Sequence, residues 1–177
     1  MRKCLLVAML VVALTSLASA MELEKGQLFL GPTVGMAWSG LGFGANGEYM
    51  INKNWGAGGE VSYASYSDDF GGFGYNYSWK YTFVGVLGFA SYHFNIKSDK
   101  FDPYLKGGLG YFHWGAKYTD NAGNVHGNLY SAGRSSGIGV EGAAGIHYFF
   151  KPSMAGRAQI GFPFYFSVGL DFMVGSK

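Results

Sequence analysis

Cysteine is nearly missing from this chain of 177 residues: the one copy, Cys4, sits within the first twenty positions. Those positions also carry Arg2 and Lys3, an apolar run over 5–14 and the small residues Ala18, Ser19 and Ala20, the three-part pattern of a secretory signal. Cleavage before Met21 is expected. The remaining chain then holds no thiol, which excludes disulfides, thiolate metal sites and cysteine catalysis. Long apolar runs are missing too. The run over 5–14 falls short of the ~20 residues a membrane-spanning helix needs, and none follows Ala20, so any span has to be built from strands. A charge excess is absent as well: once Arg2 and Lys3 are removed from the 13 basic residues, 11 basic face 11 acidic groups. Nothing in that balance points to nucleic acid. Proline is scarce, at 4 residues.

Removing twenty of the 177 residues leaves about 157, which fits one domain over 21–177. Glycine is abundant at 30 residues and aromatics reach 18%. So many aromatics argue against disorder, and the combination suits a tightly curved sheet. The end of the chain sets the pattern: Phe166, Val168, Leu170, Phe172 and Val174 alternate with Ser167, Gly169, Asp171 and Met173. A period of two gives a strand one apolar face. The same alternation predicts strands over 27–38, 41–51, 55–66, 80–94, 103–118, 136–150 and 154–162, with the eighth over 164–174. Ser39-Gly40, Asn52-Lys53-Asn54, the polar stretch 95–102, Lys151-Pro152-Ser153 and Pro163 read as turns, and 67–79 and 119–135 as long loops. Both faces of 80–94 are apolar, so its register stays open. Eight strands joined as neighbours describe an all-β fold, an eight-stranded antiparallel up-and-down transmembrane β-barrel. Closure requires the last strand to meet the first and leaves no open edge.

Charge decides which face meets lipid. A Lys or Arg on the lipid face near the midplane costs about 2–4 kcal/mol, an acid less. With Glu48, Glu60, Lys106, Glu141, Arg157 and Asp171 turned inward, the outward rows become almost wholly apolar. Trp38, Tyr49, Trp55, Tyr92, Tyr148 and Phe150 then fall near the rims, where aromatic girdles sit. Eight-stranded barrels are just wide enough to be filled by side chains, and charges buried there need partners. Glu48, Glu60 and Glu141 are expected to share Lys106 and Arg157. Such a network either plugs and stiffens the barrel or gates a narrow path for ions or small solutes. A soluble lipocalin-like barrel holding an apolar ligand requires the reverse register, with charges outward.

Several short motifs carry no chemistry in this context. Gly42/Gly44/Gly47 and Gly137/Gly139/Gly142 match G-x-G-x-x-G, yet a dinucleotide site needs that motif to open a helix after a strand, and here strand alternation continues through both. Gly133-Arg134-Ser135-Ser136-Gly137 matches a hydrolase elbow, which needs a strand–turn–helix setting. His93, His113, His126 and His147 show no metal-ligand spacing, and Asn76-Tyr77-Ser78 is a glycosylation sequon by pattern alone. No catalytic residue, cofactor or metal is expected.

Residues 167–174, SVGLDFMV, resemble the C-terminal signal of bacterial outer-membrane barrels: Ser167, Gly169 and Phe172 match, and Val174 stands where an aromatic is usual. Together with the signal segment and eight alternating strands, this resembles the small eight-stranded outer-membrane barrels of the OmpA-transmembrane-domain and OmpX/Ail-like group, over nearly all of 27–174. The resemblance implies a place in the bacterial outer membrane, both termini in the periplasm, loops at the cell surface and assembly by the outer-membrane insertion machinery. It implies a structural or surface-interaction role. Lys80, Lys117 and Arg134 near the outer rim are then candidates for lipopolysaccharide phosphates, and the loops 67–79 and 119–135 for a surface partner.

Overall fold

A computed structural model describes residues 23–37, 40–72, 75–96, 98, 100–120, 122–127 and 136–175. Among them nine strands follow one another: β1 (Leu28–Ala37), β2 (Gly40–Met50), β3 (Trp55–Gly72), β4 (Tyr75–His93), β5 (Phe101–Thr119), the three-residue β6 (Val125–Gly127), β7 (Gly137–Lys151), β8 (Met154–Phe162) and β9 (Phe166–Val174). Each long strand pairs antiparallel with its neighbours in the chain, and β9 closes on β1 from Leu28↔Val174 to Met36↔Phe166. Eight strands thus form a closed up-and-down barrel. The short β6 adds only to the end of β5, pairing Lys117–Thr119.

The alternation read from the sequence sets the two faces. Leu30, Val34, Phe43, Val61, Leu109, Val140, Val168 and Leu170 stand exposed outside, while Glu48, Glu60, Lys106, Glu141, Arg157 and Asp171 are buried within. Apolar exterior and ionised interior invert the usual soluble pattern, as a lipid solvent requires. Aromatics ring both ends of the outer face. Trp55, Tyr92, Phe94, Phe101, Tyr148 and Phe150 cluster at one rim, and Phe43 and Tyr63 pair toward the other, where Tyr111 and Phe166 are also exposed. From Phe101 to Tyr111 along β5 is roughly 25 Å of height, taking ~3.4 Å per residue and a tilt of ~40°. That matches the apolar band of an outer-membrane barrel. Trp38 lies outside the described residues.

Three expectations about elements need correction, and one register left open is settled. Residues 67–79 are not a loop for most of their length: β3 and β4 run on as a ladder from Ser67↔Lys80 to Gly72↔Tyr75. The backbone pairing of the two arms holds a sequence rich in Gly and Tyr in ladder form. The 95–102 turn is shorter than expected, because Phe101 and Asp102 belong to β5 and Asp102 is buried. The register of β4, left open, turns Phe83, Leu87, Phe89, Ser91 and His93 inward. Lastly, the strand expected over 164–174 starts only at Phe166. Phe164 is fully buried instead, lying over Gly35 and Gly42, where any Cβ would sit within 2.8 Å of its ring.

Two apolar layers fill the lumen. Toward the rim with the long hairpin, Ala37, Ala64, Phe83, Leu87, Phe112 and Phe164 pack together with Trp114 and Phe162. Toward the rim with the termini, Phe29, Met50, Phe149, Ala155 and Met173 pack with Leu23. The polar residues lie between them.

Candidate functional site

The polar middle of the lumen is built from alternate side chains of the strands, because a closed sheet aims every second residue at a common axis. It falls into two groups. In the smaller, Lys106 on β5 reaches Glu60 on β3 and Glu141 on β7, each at 2.6 Å. Its ammonium also lies 4.6 Å from the centre of the Phe89 ring. All three charged side chains are at most 2% exposed, and in such surroundings an ion pair holds only if its geometry is close.

The larger group runs as a belt around the lumen. Ser91 on β4 donates its hydroxyl to Glu48 on β2. His93 stands between carboxylates, its Nε2 2.9 Å from Glu48 Oε1 and its Nδ1 2.7 Å from Asp102 Oδ2. His147 repeats the arrangement, with Nδ1 2.9 Å from the same Asp102 oxygen and Nε2 3.2 Å from Asp171 Oδ2. Arg157 pairs with Asp171 at 3.1 Å and donates to Thr33 Oγ1 at 2.7 Å. The belt draws on β2, β4, β5, β7, β9, β8 and β1, every barrel strand except β3. Aromatic faces shield it: Tyr104 stacks on His147 at 4.7 Å and Phe29 at 5.5 Å, while Tyr104 donates its hydroxyl to Gln159 at 3.0 Å.

All six charged residues named from the sequence face the lumen, but their pairing differs from the expectation. Glu48 does not share Lys106 or Arg157; it bonds His93 and Ser91. Arg157 serves Asp171 rather than any glutamate. Asp102, His93, His147, Ser91 and Thr33 are members that the sequence reading does not name as such. Parity was the available signal for Asp102, since it is an even position of a strand whose even positions 104 and 106 point inward. The histidines without metal-ligand spacing in the chain separate by location: His93 and His147 meet at Asp102, all three ligand atoms lying within 4.8 Å of one another, and His113 is exposed at the outer face, 3.0 Å from Ser136 Oγ. That Ser136 hydroxyl also accepts from Trp114 N at 3.1 Å, so it continues the ladder between β5 and β7. His126 lies on β6.

Elsewhere, Lys80 and Lys117 are direct cross-strand partners on the exposed face of the β4–β5 extension, whereas Arg134 lies outside the described residues. On the opposite face of that extension, Trp79 contacts Tyr81 and Tyr118, with Tyr77 beside Tyr118. Of the closing segment, Ser167 points inward, and Phe172 and Val174 point outward on β9, where Gly169 pairs with Thr33 and Arg157.

A closed antiparallel barrel with lipid-facing apolar rows and a charged, filled interior defines the class: a small transmembrane β-barrel. The family follows from comparison. The family model described as outer membrane protein beta-barrel domain matches residues 6–173, and the chain belongs to that family, whose place is the bacterial outer membrane. None of the curated proteins matches the chain. Among solved structures it is similar to a de novo designed transmembrane β-barrel, with 16% identity, 87% of this chain and 100% of that one covered, and a TM-score of 0.50. It is also similar to the Ail attachment invasion locus protein of Yersinia pestis (18% identity, 84% and 95% covered, TM-score 0.49) and the N-terminal barrel of Pseudomonas aeruginosa OprF (12% identity, 86% and 100% covered, TM-score 0.48).

Proposed function

We propose that this chain is a sealed outer-membrane scaffold whose lumen serves stability and whose long hairpin side serves surface contact. The observation that carries the reading is the pair of apolar layers, around Phe83, Phe112 and Phe164 at one end and Phe29, Met50 and Phe149 at the other. A water-filled conduit has to pass both. The termini and short turns belong to the periplasmic side in this reading, and the extended β3–β4 hairpin to the cell surface. Lys80 and Lys117 support an anionic contact there: like charges directly opposite each other on a sheet are unfavourable unless an anion bridges them, and lipopolysaccharide phosphates supply one. Arg134 belongs to the same proposal by sequence position, as β9 with Ser167, Gly169, Phe172 and Val174 belongs to recognition by the insertion machinery. The aromatic face of Tyr77, Trp79, Tyr81 and Tyr118, with β6 paired beside it, is the surface offered to a partner, and the segment 119–135 belongs to the same proposal by sequence position.

Liposome swelling and single-channel recording on the folded full-length protein test the sealed reading: no conductance above the lipid baseline is expected, and steady single-channel steps refute it. Replacing Lys80 and Lys117 by Ala is expected to lower lipopolysaccharide retained on purification, and unchanged retention counts against the contact. A second reading, a gate for ions, draws on Lys106, which has two acidic partners and so two ways to pair. It requires that the wild type conduct and that Lys106→Ala alter the opening.

A further inference from the structure

Buried near the rim that holds the termini, His93, Asp102 and His147 converge in a way the ion-pair belt does not explain by itself. Both imidazoles aim the same atom, Nδ1, at one carboxylate oxygen, at 2.7 and 2.9 Å. Both spend the other nitrogen on a second carboxylate: Nε2 of His93 on Glu48, and Nε2 of His147 on Asp171. An imidazole that donates Nε2–H to a carboxylate presents an Nδ1 lone pair on its opposite edge, and a carboxylate behind the ring is the usual support of a metal-bound histidine. Here two such rings face each other across Asp102. They lie nearly parallel, 10° apart with centroids separated by 6.0 Å, held by Tyr104 and Phe29.

We propose that His93 Nδ1, His147 Nδ1 and an Asp102 carboxylate oxygen form a binding site for a divalent ion of the zinc type, with a fourth position open to water. The donor set is the right one. Two imidazoles and a carboxylate suit Zn²⁺ in a tetrahedral arrangement, with bonds of ~2.0–2.1 Å. Ligand atoms in such a site stand roughly 3.3 Å apart by tetrahedral geometry, so binding requires Asp102 to back away from its 2.7 and 2.9 Å contacts and the two rings, whose ligand atoms lie within 4.8 Å of each other, to close on the ion. The charge of the lumen favours a dication as well. Among the described residues, five buried carboxylates (Glu48, Glu60, Asp102, Glu141 and Asp171) face Lys106 and Arg157 as fixed cations, and His93 and His147, each set between two carboxylates, compensate the rest only as imidazolium; a dication takes over that role when it displaces their protons. Asp102 is the member nearest solvent, its side chain keeping 9% exposure while the two histidines keep 1%. The site ties β4, β5 and β7 together, next to the layer that closes this end of the barrel.

The test is titration of the folded, detergent-solubilised full-length protein with Co²⁺ alone, read by its visible absorption, followed by displacement with Zn²⁺. One equivalent bound per chain is expected, with loss of the band in His147→Gln and in Asp102→Asn. Glu48→Gln, which removes a carboxylate behind a ligand without touching the ion, is expected to weaken binding ~10–100-fold. Glu60→Gln, a lumen carboxylate in the other group, is expected to bind as wild type. Heat-modifiable gel mobility identifies the variants that have folded. If the folded wild type takes up no Co²⁺ or Zn²⁺, the proposal is overturned whatever the variants do. It is overturned equally if His147→Gln and Asp102→Asn fold and still bind as wild type does.

Discussion

Replacing Lys106 by Met isolates what the buried charges contribute. The ammonium sits 2.6 Å from an oxygen of Glu60 and 2.6 Å from one of Glu141. At an effective dielectric constant of ~20, each contact is a gross attraction of ~6 kcal/mol. Most of that attraction is offset by the desolvation of three charged groups, which persists for the two acids when the lysine is gone. Breaking a buried pair in this way costs about 3–5 kcal/mol, and the upper half of the range is expected here because two carboxylates lose one shared cation. Glu60→Gln and Glu141→Gln each leave one ion pair intact, so about 1–3 kcal/mol is expected for either. The triple variant Glu60→Gln/Lys106→Met/Glu141→Gln removes every charge of the group and should recover most of the single-variant loss, since neutral replacement of a buried ion group is often close to neutral in stability. The assay is equilibrium unfolding by denaturant in phospholipid vesicles, followed through tryptophan fluorescence. A cost below ~1 kcal/mol for Lys106→Met, or a triple variant no more stable than the single one, would show that water reaches these groups and that the lumen is not dry.

Three further outcomes test other parts of the fold. Leu109→Arg places a charge on the lipid-facing row of β5 and should destabilise the inserted barrel by about 2–4 kcal/mol, measured in the same vesicles; no effect would remove Leu109 from the hydrocarbon. At Gly31 a Cβ would lie 2.0 Å from the Leu170 carbonyl oxygen, so Gly31→Ala should weaken the β1–β9 seam and reduce the fraction of heat-modifiable, closed barrel on a gel. Phe83→Ala removes the fully buried ring that touches Phe112, Trp114 and Phe162. It should cost about 3–5 kcal/mol and, where the apolar layer is what seals the lumen, admit ion current that the wild type blocks.

The sheet was legible wherever a strand carried a charge. Glu48 in β2, Glu60 in β3, Lys106 in β5, Glu141 in β7, Arg157 in β8 and Asp171 in β9 each fix a parity, because one step of register would put a charge in lipid. Two strands lack such a marker: β1, where large apolar residues alternate with Gly and Thr and fix the parity by themselves, and β4 between Phe83 and His93. Its inward Phe83, Leu87 and Phe89 are as apolar as its outward Val84, Val86 and Ala90, and periodicity has nothing to decide with. Its neighbour decides instead: Ser91 pairs with Lys106, cross-strand partners share a face, and His93 follows two residues on. The missing parity explains why the partner of Glu48 is not legible: with His93 unplaced, Lys106 and Arg157 are the only inward cations that the sequence offers to Glu48, Glu60 and Glu141 together. Asp102 is obscured for a different reason, since its polar neighbours at 95–100 read as turn and extend that reading over the first two residues of β5. The ladder past Ser67 is not legible because its pairing, from Ser67↔Lys80 to Gly72↔Tyr75, runs through residues whose Gly, Asp and Asn content reads as loop. Each omission is a contact between strands, and the metal-binding geometry at His93, Asp102 and His147 is the sum of two of them. Closure of the sheet, rather than any spacing along the chain, brings residues 9 and 45 positions apart to a single point.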